Sequence, residues 1–102
     1  MSVLHIVNKS PYERNSLETC LRLARPGSAI LLIEDGVYAV RAGSSASARL
    51  QQALEDHPVY ALRADLQARG VQPESLIDGI TLVDYDGFVE LTTEYEKSQS
   101  WL

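Results

Sequence analysis

The chain is poor in the residues that carry covalent and metal chemistry. It has one cysteine, Cys20, so no internal disulfide is possible. One cysteine and two histidines, His5 and His57, with no ligand spacing between them exclude a recognisable metal set. No apolar run approaches the length of a membrane span. The opening "MSVLHIVNKSP" lacks the basic flank and small-residue cleavage site of a secretory leader. A single thiol without an export signal leads to the expectation of a cytoplasmic protein. Clustered cations are also missing. Nine lysines and arginines are scattered through a chain of net charge −5. No basic footprint exists for phosphate neutralisation, so direct binding of nucleic acid is not expected. The turn after the first apolar run, "NKSPYERN", contains no glycine. A phosphate cradle needs glycines there for close backbone approach, which argues against a stand-alone nucleotide-binding module.

What is present fits one folded domain spanning 1–102. The 102 residues are 45% hydrophobic and 23% charged. A chain of this size buries roughly 60–70% of its unfolded surface, enough for a core without staples. Four short apolar runs read as strands: "VLHIV" (3–7), "AILLIE" (29–34), "VYAL" (59–62) and "ITLVD" (80–84). They are nearly continuous rather than alternating, as in strands covered on both faces. Helical material lies between them, which predicts an α/β fold with a parallel four-stranded sheet and helices on both faces.

Asn15 and Glu18 mark the start of a first helix, and "RPG" (25–27) ends it. Asp35 is expected to cap a short helix over 37–41, with "SSASA" (44–48) as a mobile loop ahead of a helix over 49–56. Asp65 is expected to cap a helix ending at Gly70, and Asp84 or Asp86 a last helix striped by Phe88, Leu91 and Tyr95.

Cys20 falls at helical spacing with Leu17, Leu21 and Ala24, within or beside the apolar stripe. Free cysteine is among the most buried residue types, and this phase favours a packed thiol. A sulfur-handling thiol would instead need a positive neighbour, which Lys9 or Arg14 would supply by folding back. His5 is the only plausible base for a Cys–His pair. It reads more readily as a core or hydrogen-bonded histidine, with His57 facing solvent. Glu34, Asp35, Asp84 and Asp86 sit where α/β sheets bind ligands, outside the carboxyl ends of strands. Helix capping accounts for them without further assumptions. The tail "TTEYEKSQSWL" (92–102) ends in Trp101 and Leu102, which need a groove on their own domain or on a partner. Tyr12, Tyr38 and Tyr85 add aromatic material for an interface.

Taken together, "LHIVNKSPYERNSLETCLRLARPGSAILLIEDGVYA", "YALRADLQARG", "ITLVDYDGFVELT" and the terminal "WL" resemble the DsrH/TusB family, nearly end to end and in order. The resemblance implies a small Rossmann-like, flavodoxin-like subunit of a cytoplasmic heterohexameric sulfur-relay complex. Its sisters would be DsrE/TusD-like and DsrF/TusC-like, and a DsrC/TusE-like protein would accept the persulfide sulfur. DsrH-type members serve sulfur oxidation, and TusB-type members serve 2-thiolation of the tRNA wobble uridine. The sister's principal persulfide cysteine lies near the turn after strand three, where this chain has "LRAD" (62–65). That implies an auxiliary rather than a main catalytic subunit. Cys20 within "NSLETC" matches the DsrH-type pattern, which makes a DsrEFH-like subunit serving sulfur oxidation the first reading and Cys20 the candidate secondary sulfur acceptor. Trp101, Leu102 and Tyr38 are the candidate interface residues. No cofactor, membrane or direct nucleic-acid contact is implied. Two alternatives stay open: a TusB-type subunit and an autonomous Cys20 sulfurtransferase.

Overall fold

A computed structural model of the chain describes residues 2–101. Its elements alternate: β1 (Val3–Val7), α1 (Ser16–Leu23), β2 (Ala29–Leu32), a 3₁₀ helix (Glu34–Val40), α2 (Ser45–Ala53), β3 (Val59–Leu62) and α3 (Arg63–Ala68). A 3₁₀ turn (Pro73–Ser75), β4 (Thr81–Val83), α4 (Tyr85–Glu94) and β5 (Lys97–Trp101) follow. The four expected strands are present. The sheet, however, has five strands, all parallel, in the order β4-β3-β2-β1-β5.

The fifth strand corrects the four-stranded expectation. β5 is "KSQSW", polar and exposed except for Trp101, so it has no apolar run to announce it. It pairs with β1 from Val3↔Lys97 to Val7↔Trp101. As an edge strand it gains its place from backbone pairing on one side, and its polar side chains protect the other. The tail expected to seek a groove therefore joins the sheet. Leu102 lies outside the described residues.

Connection handedness explains the layers. The chain steps from β1 to β4 in one direction, then returns past β1 to add β5. Right-handed crossovers put the helices of the two directions on opposite faces. Accordingly Leu17, Cys20 and Leu21 of α1, Leu50 and Ala53 of α2 and Leu66 of α3 pack with Val7, Ile30, Leu32, Val59 and Ala61 on one face. Phe88 and Leu91 of α4 pack with Leu4, Ala29, Leu31 and Tyr60 on the other. Successive strand residues alternate between the two clusters.

Helix starts follow the sequence in part. Asn15 is the N-cap of α1, although its side chain makes no capping bond. Asp84 caps α4 by accepting the Gly87 N–H at 2.8 Å. The "SSASA" patch is not a loop. Ser44 and Ser47 form a capping box, with bonds of 3.0 and 3.1 Å, and start α2 there. A serine replaces the glutamate or glutamine usual at the third helical position, so the box was unmarked in sequence. Asp35 is not a cap either, because the 3₁₀ helix begins at Glu34 after Ile33. Asp65 lies in the first turn of α3, inside the helix.

One glycine is fixed by close approach. Gly36 packs on the carboxyl end of β1, where a Cβ would fall against the Val7 carbonyl oxygen. Val7 and Asn8 are backbone there and cannot swing away. Gly36→Ala is expected to destabilise the fold by about 1–3 kcal/mol, as overpacking does. Urea unfolding, with an unchanged slope and a lowered midpoint, would register the loss.

Candidate functional site

Cys20 sits in α1 with its side chain aimed into the face built by α1, α2 and the strands. It has no exposed surface. Burial pushes its thiol up to about 12 from the ordinary 9.0, and no neighbouring charge opposes the shift. Lys9 and Arg14 do not fold back over it. Lys9 is exposed, and Arg14 donates to the Glu13 carbonyl at 3.3 Å. At neutral pH the sulfur is a protonated, packed apolar atom.

His5 is the second candidate. It lies on β1 and is 6% exposed. Trp101 of β5 donates its indole N–H to His5 Nδ1 at 3.1 Å, and the two rings are tilted at 47° with centroids 6.0 Å apart. An accepting Nδ1 assigns the imidazole to its neutral form with the proton on Nε2. Burial first, and then the charge of His57, lower the His5 pKa below its ordinary 6.5. Among the described residues no hydrogen bond joins His5 to Cys20, so the Cys–His pair is not assembled. Tyr38 and Trp101 are half-buried against the same core cluster.

His57 corrects an expectation, since it is buried at 6% exposure rather than facing solvent. Its Nδ1 lies 2.8 Å from the Ser28 carbonyl, and Ser28 Oγ in turn donates to the Arg25 carbonyl at 2.6 Å. The histidine thereby ties the loop before β3 to the start of β2.

The four strand-end acids do not converge. Glu34 and Asp35 follow β2, whereas Asp84 and Asp86 follow β4, with β3 between. Asp35 pairs with Arg69 of α3 at 2.8 Å, and Asp65 stands 3.8 Å from the same guanidinium. The Asp35 carboxylate, as hydrogen-bond acceptor, is the main cause of the raised Arg69 pKa. The Glu34 N–H donates to Asp65 at 2.6 Å, and Glu34 is the one described non-glycine residue with positive φ, 49°. Asp65 thus holds a left-handed corner at the end of β2. Sequence reading missed Asp65 and Arg69 as a unit because their partners lie on the preceding 3₁₀ helix. Asp84 caps, and Asp86 is exposed. Capping or pairing accounts for two of the four carboxylates, Asp84 and Asp35. Among the described residues no group of three or more histidine, cysteine or acidic side chains is placed to hold a metal ion.

Two outcomes follow from the buried thiol and the histidine. Cys20 should resist thiol reagents at neutral pH and react fully once denaturant unfolds the chain. Because its folded pKa is raised, the stability it contributes is intact below about 9 and lost as pH climbs towards about 12. His5 has the opposite sign. Its folded pKa is lowered, so the unfolded chain takes up the proton first and stability falls as pH drops through about 6.5. Trp101 is the sole tryptophan, so a red shift of intrinsic fluorescence on acidification, absent in His5→Gln, would report that step.

The family described as DsrH like protein matches residues 9–98. Protein TusB of Pectobacterium parmentieri is 37% identical over 99 residues, covering 97% of this chain and all of the relative. Protein TusB of Salmonella enteritidis is 40% identical over 83 residues, covering 79% of this chain and 82% of the relative. Among solved structures, the ychN protein of E. coli superposes with a TM-score of 0.86 at 22% identity, covering 99% of each chain. A protein of unknown function from Methanobacterium thermoautotrophicum gives 0.71 at 18% identity, covering 94% of this chain and 96% of that one. Those two likenesses establish the fold. With its family match running through most of the sequence and the Pectobacterium TusB aligned almost end to end, this chain belongs to the DsrH/TusB family.

Proposed function

We propose that this chain is a TusB-type subunit of a sulfur-relay assembly, working beside TusC-like and TusD-like sisters and a TusE-like acceptor in 2-thiolation of the tRNA wobble uridine. The assembly implied is cytoplasmic and heterohexameric. Within it this chain is auxiliary: it offers surfaces to its sisters and leaves sulfur carriage to them. The observation that carries this reading is the state of Cys20. Persulfide transfer requires a thiolate that attacks the outer sulfur of a donor persulfide, releasing the donor's thiolate. Its newly carried outer sulfur is then attacked by the acceptor thiolate as its own thiolate leaves, so both sides need access. A core thiol titrating at about 12 meets neither condition. The "LRAD" turn after β3, which has no cysteine, agrees with it. Relatives named TusB favour tRNA thiolation over sulfur oxidation.

Deleting the gene is expected to remove 2-thiouridine from the wobble position, seen as lost retardation of the target tRNAs on a mercury-containing gel. Complementation by Cys20→Ala should restore it. Intact thiolation with a defect in oxidising stored sulfur would support the DsrH-type reading, towards which Cys20 in "NSLETC" points. Incubation of the isolated chain with a persulfide donor should leave its mass unchanged. A gain of one sulfur atom, absent in Cys20→Ser, would make it an autonomous sulfurtransferase.

A further inference from the structure

The face of the sheet beneath α4 is thinly covered. A helix of ten residues is about 15 Å long and about 10 Å wide. Five strands spaced about 4.8 Å apart span about 19 Å between their outer axes. One helix therefore leaves apolar surface open beside it. Ile6, Ile33, Tyr60, Val83, Phe88 and Tyr95 are only half-buried around this cluster. On the outer side of α4, Tyr85 and Val89 are 61% and 62% exposed, one turn apart on the same ridge. Parallel sheets are normally covered on both faces, and the half-buried residues beside α4 leave room for a further layer there.

Charge restricts what covers it. Residues 70–96 carry seven carboxylates and no lysine, arginine or histidine, leaving nine cations against seven carboxylates in the rest of the chain. Asp86, Glu90 and Glu94 follow one another at four-residue intervals beside the Tyr85–Val89 ridge, all exposed. Among the described residues, none of the three is in an ion pair. A second copy docked face to face would set these rows against each other, and like charges there oppose pairing. Nucleic acid and anionic membranes are repelled for the same reason.

We propose that the α4 ridge, Tyr85 and Val89 flanked by Asp86, Glu90 and Glu94, docks a different protein whose contact surface is apolar and rimmed with lysine or arginine. This inference rests on the assembly reading above and assigns one sister subunit to this face. The apolar ridge supplies the desolvated centre, and the acidic row supplies orientation and encounter rate.

The test is co-elution of the full chain, co-expressed with the two sister subunits from the same organism. Val89→Asp and the double change Glu90→Lys/Glu94→Lys are expected to weaken assembly at least about tenfold, the size of a moderate hot-spot loss. Leu23→Asp on α1, exposed at 64%, is expected to leave it unchanged. Melting temperature and Trp101 fluorescence of each isolated variant should match the parent, which separates docking from folding. If both α4 variants co-elute as the parent does, the face is not the docking surface, although the assembly reading stands. An isolated parent that is a dimer, split by Val89→Asp, would make a second copy the occupant and overturn the proposal. A parent that joins neither sister would overturn the assembly reading and, with it, the partner assigned here.

Discussion

An all-parallel sheet whose chain takes three steps one way and then one long return past its first strand, each by a right-handed crossover, is the constraint on which this molecule depends. It gives one face three helices and a 3₁₀ helix, and the other face α4. The thick face buries Cys20, Leu50 and Val59. The thin face retains half-covered aromatics. Whether a side chain in this fold is chemically available is decided largely by the face it falls on.

That division makes sense of the cysteine. In an amphipathic helix lying on a sheet, position twenty shares its phase with Leu17 and Leu21, and both are core residues. Desolvation then acts on the thiol alone, because no cation is packed beside it. A nucleophilic cysteine needs the reverse arrangement, with one open side and a positive neighbour. The polar groups that are buried, His5, His57 and Ser28, serve structural bonds between strands and loops. Of the acids at the strand ends, Asp84 is drawn into capping and Asp35 into the Arg69 bridge. Most of the buried polar groups among the described residues are thus committed to structural bonds.

Much of this was legible from residues. Runs such as "AILL" announce themselves because a strand covered on both faces has no polar positions. The phase of Cys20 and the cap at Asp84 were also readable, since both depend on spacing within a few residues. What escaped reading depends on distant partners. β5 is polar and takes its identity from β1, some ninety residues earlier in the chain. His57 is buried because the loop carrying it folds onto the start of β2. Ser44 and Ser47 cap one another with hydroxyls that composition alone assigns to a flexible patch. The Asp65 corner needs both Glu34 and α3 to be in place. As for the site, spacing suggested burial of the thiol, and family resemblance suggested use. The structure shows the burial, on a face whose thickness no local pattern encodes.

The pairing of β5 with β1 also constrains when the fold can be completed. Trp101 and His5 are 96 positions apart, and Glu96 meets Ser2 across 94. Contacts of such separation carry the largest loop-closure cost and form late. During synthesis β1 leaves the ribosome some ninety residues ahead of β5, and its outer edge stays unpaired until β5 emerges. Through that interval an apolar strand with open backbone groups is exposed to other nascent chains, so a slow translation or a truncated product would leave a sticky intermediate.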